Sequence, residues 1–144
     1  MPTNRRFRTI AEAARFACFD VAHPRDPGEW RFQGAIAHRS HDIDMILSRG
    51  MGFRAVDVWY VDNRDDTLLQ ITVVPGGAPK NEGGDVEMIE LQGVDAEYRT
   101  RFSTASPNAV IVRWEAGGNG FHAIAHLTPE FTREELLRVL ESIR

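Results

Sequence analysis

From Val110 to Ile143 the chain reads as strand, tight turn, strand and amphipathic helix, and that order leaves few folds open. Val110, Val112 and Trp114 alternate with Ile111 and Arg113, while Phe121, Ala123, Ala125 and Leu127 alternate with His122, Ile124 and His126. A period of two marks strands that bury one face. Gly117-Gly118-Asn119-Gly120 stands between the two runs, and such residues tolerate the positive φ angles of a tight hairpin, so the strands must pair antiparallel. Thr132-Arg133-Glu134-Glu135 then has the pattern of a capping box. Leu136, Leu137, Val139, Leu140 and Ile143 fall on one stripe of the helix it opens, over Thr132 to Ile143.

The same signals extend through the rest of the chain. Thr9-Ile10-Ala11-Glu12 is a second capping box, opening a short helix to about Ala17 whose Ile10, Ala13, Ala14 and Ala17 make a narrow face of mostly small residues. Phe19 to Ala22 is expected to run extended, and Pro24, Pro27 and Gly28 to turn the chain into a strand from Trp30 to about His38. Residues 40–52 fit a short helix and an edge strand equally well. Ala55 to Asp62 and Leu68 to Val74 alternate about the Asp62 to Asp66 turn and form a hairpin, with Trp59 on the face opposite Val58 and Tyr60. Pro75 to Gly84 reads as a mobile surface loop, and Val86 to Leu91 and Ala96 to Phe102 as strands about Gln92-Gly93. The expected architecture is α+β: one antiparallel sheet of about six or seven strands, with an N-terminal and a C-terminal helix packed on it. A chain of 144 residues suits one domain spanning 1–144, with residues 1–7 as a flexible terminus.

Charge and cysteine content narrow the function classes. The 17 Lys and Arg against 21 Asp and Glu leave a net charge of -4, which argues against general nucleic-acid binding, since phosphate contact draws on a basic face. Arg5, Arg6 and Arg8 lean the other way and read as a solvated cluster, with contact to an acidic lipid or partner as the alternative. No apolar run approaches the roughly 18 residues of a membrane-spanning helix. Arg8, Glu12 and Arg15 interrupt any signal-peptide core, so the expectation is a cytoplasmic protein, or an extracytoplasmic one if the chain is a fragment. Cys18 is the sole cysteine, which excludes an intramolecular disulfide; between Phe16 and Phe19 it reads as a small buried thiol.

A wider pattern runs through Ala11-Glu12-Ala13-Ala14, Phe19-Asp20-Val21, Val58-Trp59-Tyr60, Leu91-Gln92-Gly93 with Ala96-Glu97-Tyr98, Val112-Arg113-Trp114-Glu115 and the terminal Glu134 to Ile143. In that order these pieces resemble a bacterial family of unknown function, often found as the extracytoplasmic part of anti-sigma-factor-like or lipoprotein-like membrane proteins. The resemblance implies a sensing or binding role and carries no catalytic residue to any position here.

Candidate chemistry is sparse. His38, His41, Asp42 and Asp44 supply imidazole and carboxylate donors within seven residues, the donor types a divalent metal takes, although their spacing matches no established site. His122 and His126 share a strand face with Ile124 between them; roughly 13 Å apart, they cannot share one ion, but either could act alone as a base. Asp62, Asp65 and Asp66 lack the glycine and bidentate glutamate of a calcium loop, and the glycine turn lacks the lysine and helix of a phosphate loop. Trp59, if exposed, is a contact residue.

The reading is a non-enzymatic binding or sensing module with no cofactor, contacting a partner protein or an apolar ligand through Trp59, His122, Ile124 and His126. Two alternatives stand beside it: a small metal-dependent hydrolase using His38, His41 and Asp42, and a structural domain that pairs as a homodimer.

Overall fold

A computed structural model describes residues 4–40, 53–77 and 83–144. Among the described residues, eight strands form one antiparallel sheet: β1 (Asn4–Phe7), β2 (Arg31–Ser40), β3 (Phe53–Val61), β4 (Thr67–Pro75), β5 (Asp85–Leu91), β6 (Val94–Thr100), β7 (Ala109–Ala116) and β8 (Asn119–His126). Helix α1 (Ile10–Ala17) lies between β1 and β2 in sequence, and α2 (Arg133–Glu141) follows β8. The spatial order is β1-β2-β3-β4-β8-β7-β6-β5. After β4 the chain crosses to the far edge, then walks back through three hairpin-like steps until β8 closes on β4, with Leu69 opposite Ala125 and Val73 opposite Phe121.

Register sorts the side chains onto two faces. On the first, Ala35, Val58, Ile71, Ala123 and Val112 stand in one row across five strands, and all are at most 1% exposed. Both helices cover this face. Phe7 and Phe16 rings meet at 5.5 Å beneath α1, and Arg133 of α2 lies 4.3 Å from the Tyr98 ring centroid. Ala13 and Ala17 are fully buried, so the small face of α1 sits close on the alanines of β2. Leu136, Val139, Leu140 and Ile143 bury the stripe of α2, each contributing about 2 kcal/mol of apolar burial.

The caps form as their residue types require, with one arm altered. Thr9 Oγ1 accepts from Glu12 N at 3.2 Å, and Thr132 Oγ1 from Glu135 N at 3.3 Å. The glutamate arms turn elsewhere: Glu12 accepts from the Thr9 hydroxyl, and Glu135 from Arg138 and from Trp30 Nε1. The C-terminus is tied back by main-chain bonds between His23 and Arg144 in both directions at 3.1 Å, beside a Pro24–Ile143 bridge.

Two expectations change. Residues 4–7, read as part of a flexible terminus, are edge strand β1, pairing Asn4 with His38 and Phe7 with Ala35. Phe7 alone gives that segment an apolar signal; main-chain bonding to β2 supplies the rest, which raises the strand count to eight. Cys18 is exposed rather than buried. It caps α1 in the left-handed conformation at φ 62°, its N–H bonding Ala14 O, and that twist turns the thiol outward. Residues 41–52 and 78–82, which include most of the ambiguous 40–52 stretch and half of the loop from Pro75 to Gly84, lie outside the described residues.

Candidate functional site

No described helix covers the second face of the sheet, and two neighbouring rows cross it, one mostly charged or polar and one mixed. Direct register aligns Glu97, Arg113, His122, Thr72, Asp57 and Ile36 across β6, β7, β8, β4, β3 and β2. Asp57 is the hub of one half. Its Oδ1 accepts from Thr72 Oγ1 at 2.5 Å, and its Oδ2 lies 2.8 Å from His38 Nε2. A carboxylate only accepts, so the imidazole proton in this contact sits on Nε2. Glu97 is the hub of the other half, taking Arg99 and Arg113 at 3.2 Å each. Arg99 also donates to Gly83 O at 2.8 Å, while its buried Nε has no hydrogen-bond partner among the described residues.

The adjacent row runs Ile111, Ile124, Gln70 and Trp59. Ile111 is 8% exposed, whereas Ile124 and Trp59 are half-buried. Trp59 and Ile124 are two strands apart, roughly 10 Å, with Gln70 between them. The Arg6 guanidinium closes the row at the β1 edge, 5.8 Å from the Trp59 ring centroid. Trp59 therefore holds a cation on one side and presents the remainder of its ring beside polar groups already fixed by hydrogen bonds.

The residues singled out in the sequence meet different fates. Trp59, His122 and Ile124 do gather on one face within this network. His126 shares that face at the exposed end of β8, opposite Ala109. His38 is engaged by Asp57; His41, Asp42 and Asp44 lie outside the described residues. Among the described residues, no group of three or more His, Cys, Asp or Glu side chains is placed to hold a metal ion. Thr72 donates to one oxygen of Asp57 and His38 meets the other, so the carboxylate joins the two side chains across β4, β3 and β2. Asp57, Thr72, Glu97, Arg99 and Arg113 were not among the site candidates legible in the sequence. Their polar positions within alternating strands were the visible signal, but strand order is needed to see that they are neighbours.

Burial holds the His122 imidazole below its ordinary value, with its own backbone hydrogen bond and Asp57 pushing the other way and Arg113 reinforcing the drop. The folded state thus resists the proton that the unfolded chain accepts near pH 6.5. Neutral His122 contributes stability that is present above that pH and is lost as pH falls through the folded value. In urea titrations between about pH 7.5 and pH 5.5, His122→Gln is expected to weaken the fall in the unfolding midpoint. An unchanged slope would remove His122 as its source.

At one end of the sheet, a cavity of about 580 Å³ opens between the β3–β4 turn and the β8–α2 connection. Trp30, Leu68 and Pro129 supply its apolar wall, and Glu29, Asp66 and Glu130, with Asp62, outnumber Arg64, the one lining cation among the described residues. Asp62 in the same wall uses Oδ1 to accept from Arg64 N and Asp66 N, at 2.8 and 3.0 Å, which holds the turn. The wall favours cationic or donor-rich groups over anions. None of the candidate residues from the sequence lines it.

No family model, no curated protein and no solved structure matches this chain.

Proposed function

We propose that this domain is a non-enzymatic binding module that recognises a partner protein through the second face of its sheet, centred on Trp59 and Ile124. One observation carries the reading: a half-buried tryptophan and isoleucine flank Gln70 in one row, alongside polar side chains that already hold one another in place. That is the anatomy of a recognition surface, an apolar centre with a polar margin, and fixed margins reduce the ordering cost of association. A sensing role is part of the proposal and rests on the resemblance described above. No helix among the described residues is long and apolar enough to cross a membrane.

The test is a comparison of captured partners. Wild-type protein, Trp59→Ala and Ile124→Ala are used as baits in parallel, after circular dichroism and melting curves establish that each is folded. A partner retained by the wild type is expected to lose affinity by at least about 30-fold on Trp59→Ala, the scale of an interfacial hot spot, in subsequent calorimetry with the purified partner. Equal retention by all three baits would move recognition off this face. Metal-dependent turnover abolished by His38→Ala would replace the proposal with the hydrolase reading.

A further inference from the structure

The two edges of the sheet carry opposite charge. Eight strands alternating in direction place β1 and β5 at the ends of the order, running in opposite senses. A second copy translated along the sheet, with helices on the same side, therefore sets its β1 antiparallel to β5 of the first copy. The two covered faces then continue into each other, and the two second faces likewise.

Side-chain chemistry chooses this join over its alternatives. β5 reads Asp-Val-Glu-Met-Ile-Glu-Leu, with Asp85, Glu87 and Glu90 all exposed; Asp85 is ion-paired to Arg101 and Glu87 to Arg133, and Glu90 forms no ion pair among the described residues. Its second-face side chains include Val86, 45% exposed, and Met88, 60% exposed, the two large apolar residues most open to solvent among the described residues. The strand has no proline, no lysine and no register shift against β6, and the carboxylates that guard it against an acidic or apolar edge would be matched by a basic one. β1 brings Arg5 and Arg6, with Arg8 just beyond; all three are exposed, and none forms an ion pair among the described residues. A two-fold β5 pair centred on Glu87 would oppose carboxylates, and one centred on Met88 sets Glu90 beside Val86 with no cation across the join, while β1 paired about Arg5 or Arg6 would oppose guanidinium groups.

We propose that copies of this chain associate head to tail, β1 of one on β5 of the next. One register satisfies the face alternation and the charges together: Arg6 opposite Glu90 on the second face and Phe7 opposite Ile89 on the covered face. The contact is heterologous, so it propagates into a ring or an open filament rather than stopping at a dimer. With β1 only four residues long, it is a weak association, seen at high protein concentration.

Sedimentation velocity on the unmodified protein provides the first test. The mean mass is expected to rise with concentration past the dimer and to fall back as sodium chloride is raised from about 50 mM to about 500 mM, because exposed charges are screened. A monomer at every concentration, or a plateau at the dimer, overturns the proposal. Charge reversal identifies the edges: Arg6→Glu and Glu90→Arg are each expected to weaken association at least about tenfold, and mixing the two variants to restore it. In a Cys18→Ser background, Arg6→Cys protein mixed with Glu90→Cys protein should give the mixed disulfide under mild oxidation. Cross-linking of Glu90→Cys with itself at the same yield would assign the contact to a symmetric β5 pair instead.

Discussion

Replacing Trp114 with alanine is expected to lower the unfolding free energy by about 3–5 kcal/mol, a large share of the 5–15 kcal/mol available to a domain of this kind. The size of the effect follows from three roles held by one side chain. Trp114 is 1% exposed in the middle of the covered face. Its ring stacks on Phe121 at 4.9 Å with the planes 19° apart, joining β7 to β8. Its Nε1 donates to Gln92 Oε1 at 2.9 Å, and Gln92 in turn donates from Nε2 to Ile143 O at 2.7 Å. The tryptophan thus links the hairpin, the β5–β6 turn and the C-terminal segment. Trp114→Phe retains most of the apolar area but leaves Gln92 Oε1 without the indole donor, for an expected cost of about 1–3 kcal/mol on top of the lost ring volume. Urea unfolding followed by circular dichroism measures both. Equal midpoints for the alanine variant and the wild type would show that the stack does not hold the sheet.

Alkaline unfolding should expose a second buried aromatic. Tyr60, 2% exposed, packs edge-on against Phe32 at 6.0 Å, and burial pushes its phenol up to about 12 from an ordinary 10. The folded value lies above the unfolded one, so the neutral phenol contributes stability that is complete below about pH 10 and is lost as pH rises toward 12. The loss amounts to about 3 kcal/mol. Urea midpoints at about pH 9 and pH 11.5 are expected to fall more steeply for the wild type than for Tyr60→Phe. Tyr98 is also raised, chiefly by burial against the lowering effect of Arg133, so the variant retains a shallower slope. Identical slopes in the two proteins would place the ionisation elsewhere.

Local signals were strong wherever the residue type answers to its own neighbourhood. The capping threonines Thr9 and Thr132 stand where the helices begin. Ala123 and Ala125 are buried while His122 and Ile124 lie on the opposite face, as period two requires. β1 was illegible because an edge strand draws its hydrogen bonds from a partner about 30 residues away, and three arginines conceal its single apolar anchor. Cys18 misled because its aromatic neighbours suggest burial, whereas the helix end imposes a left-handed turn. For the candidate surface, Trp59, His122 and Ile124 were visible as outward residues on two different strands. Their proximity was not, since β8 comes to lie beside β4 only after the chain has crossed to the far edge and returned.

The sequence by itself determined the elements, their buried faces and the class of fold, because hydrophobic period, capping chemistry and turn residues act over a few residues. Tertiary structure alone decided which outward side chains became neighbours. Asp57 meets Thr72 and His38, Glu97 meets Arg113, and the arginines of β1 end up at the edge opposite the carboxylates of β5. Strand order is a property of the whole sheet: it emerges when distant segments close on a common core, and no local pattern encodes it.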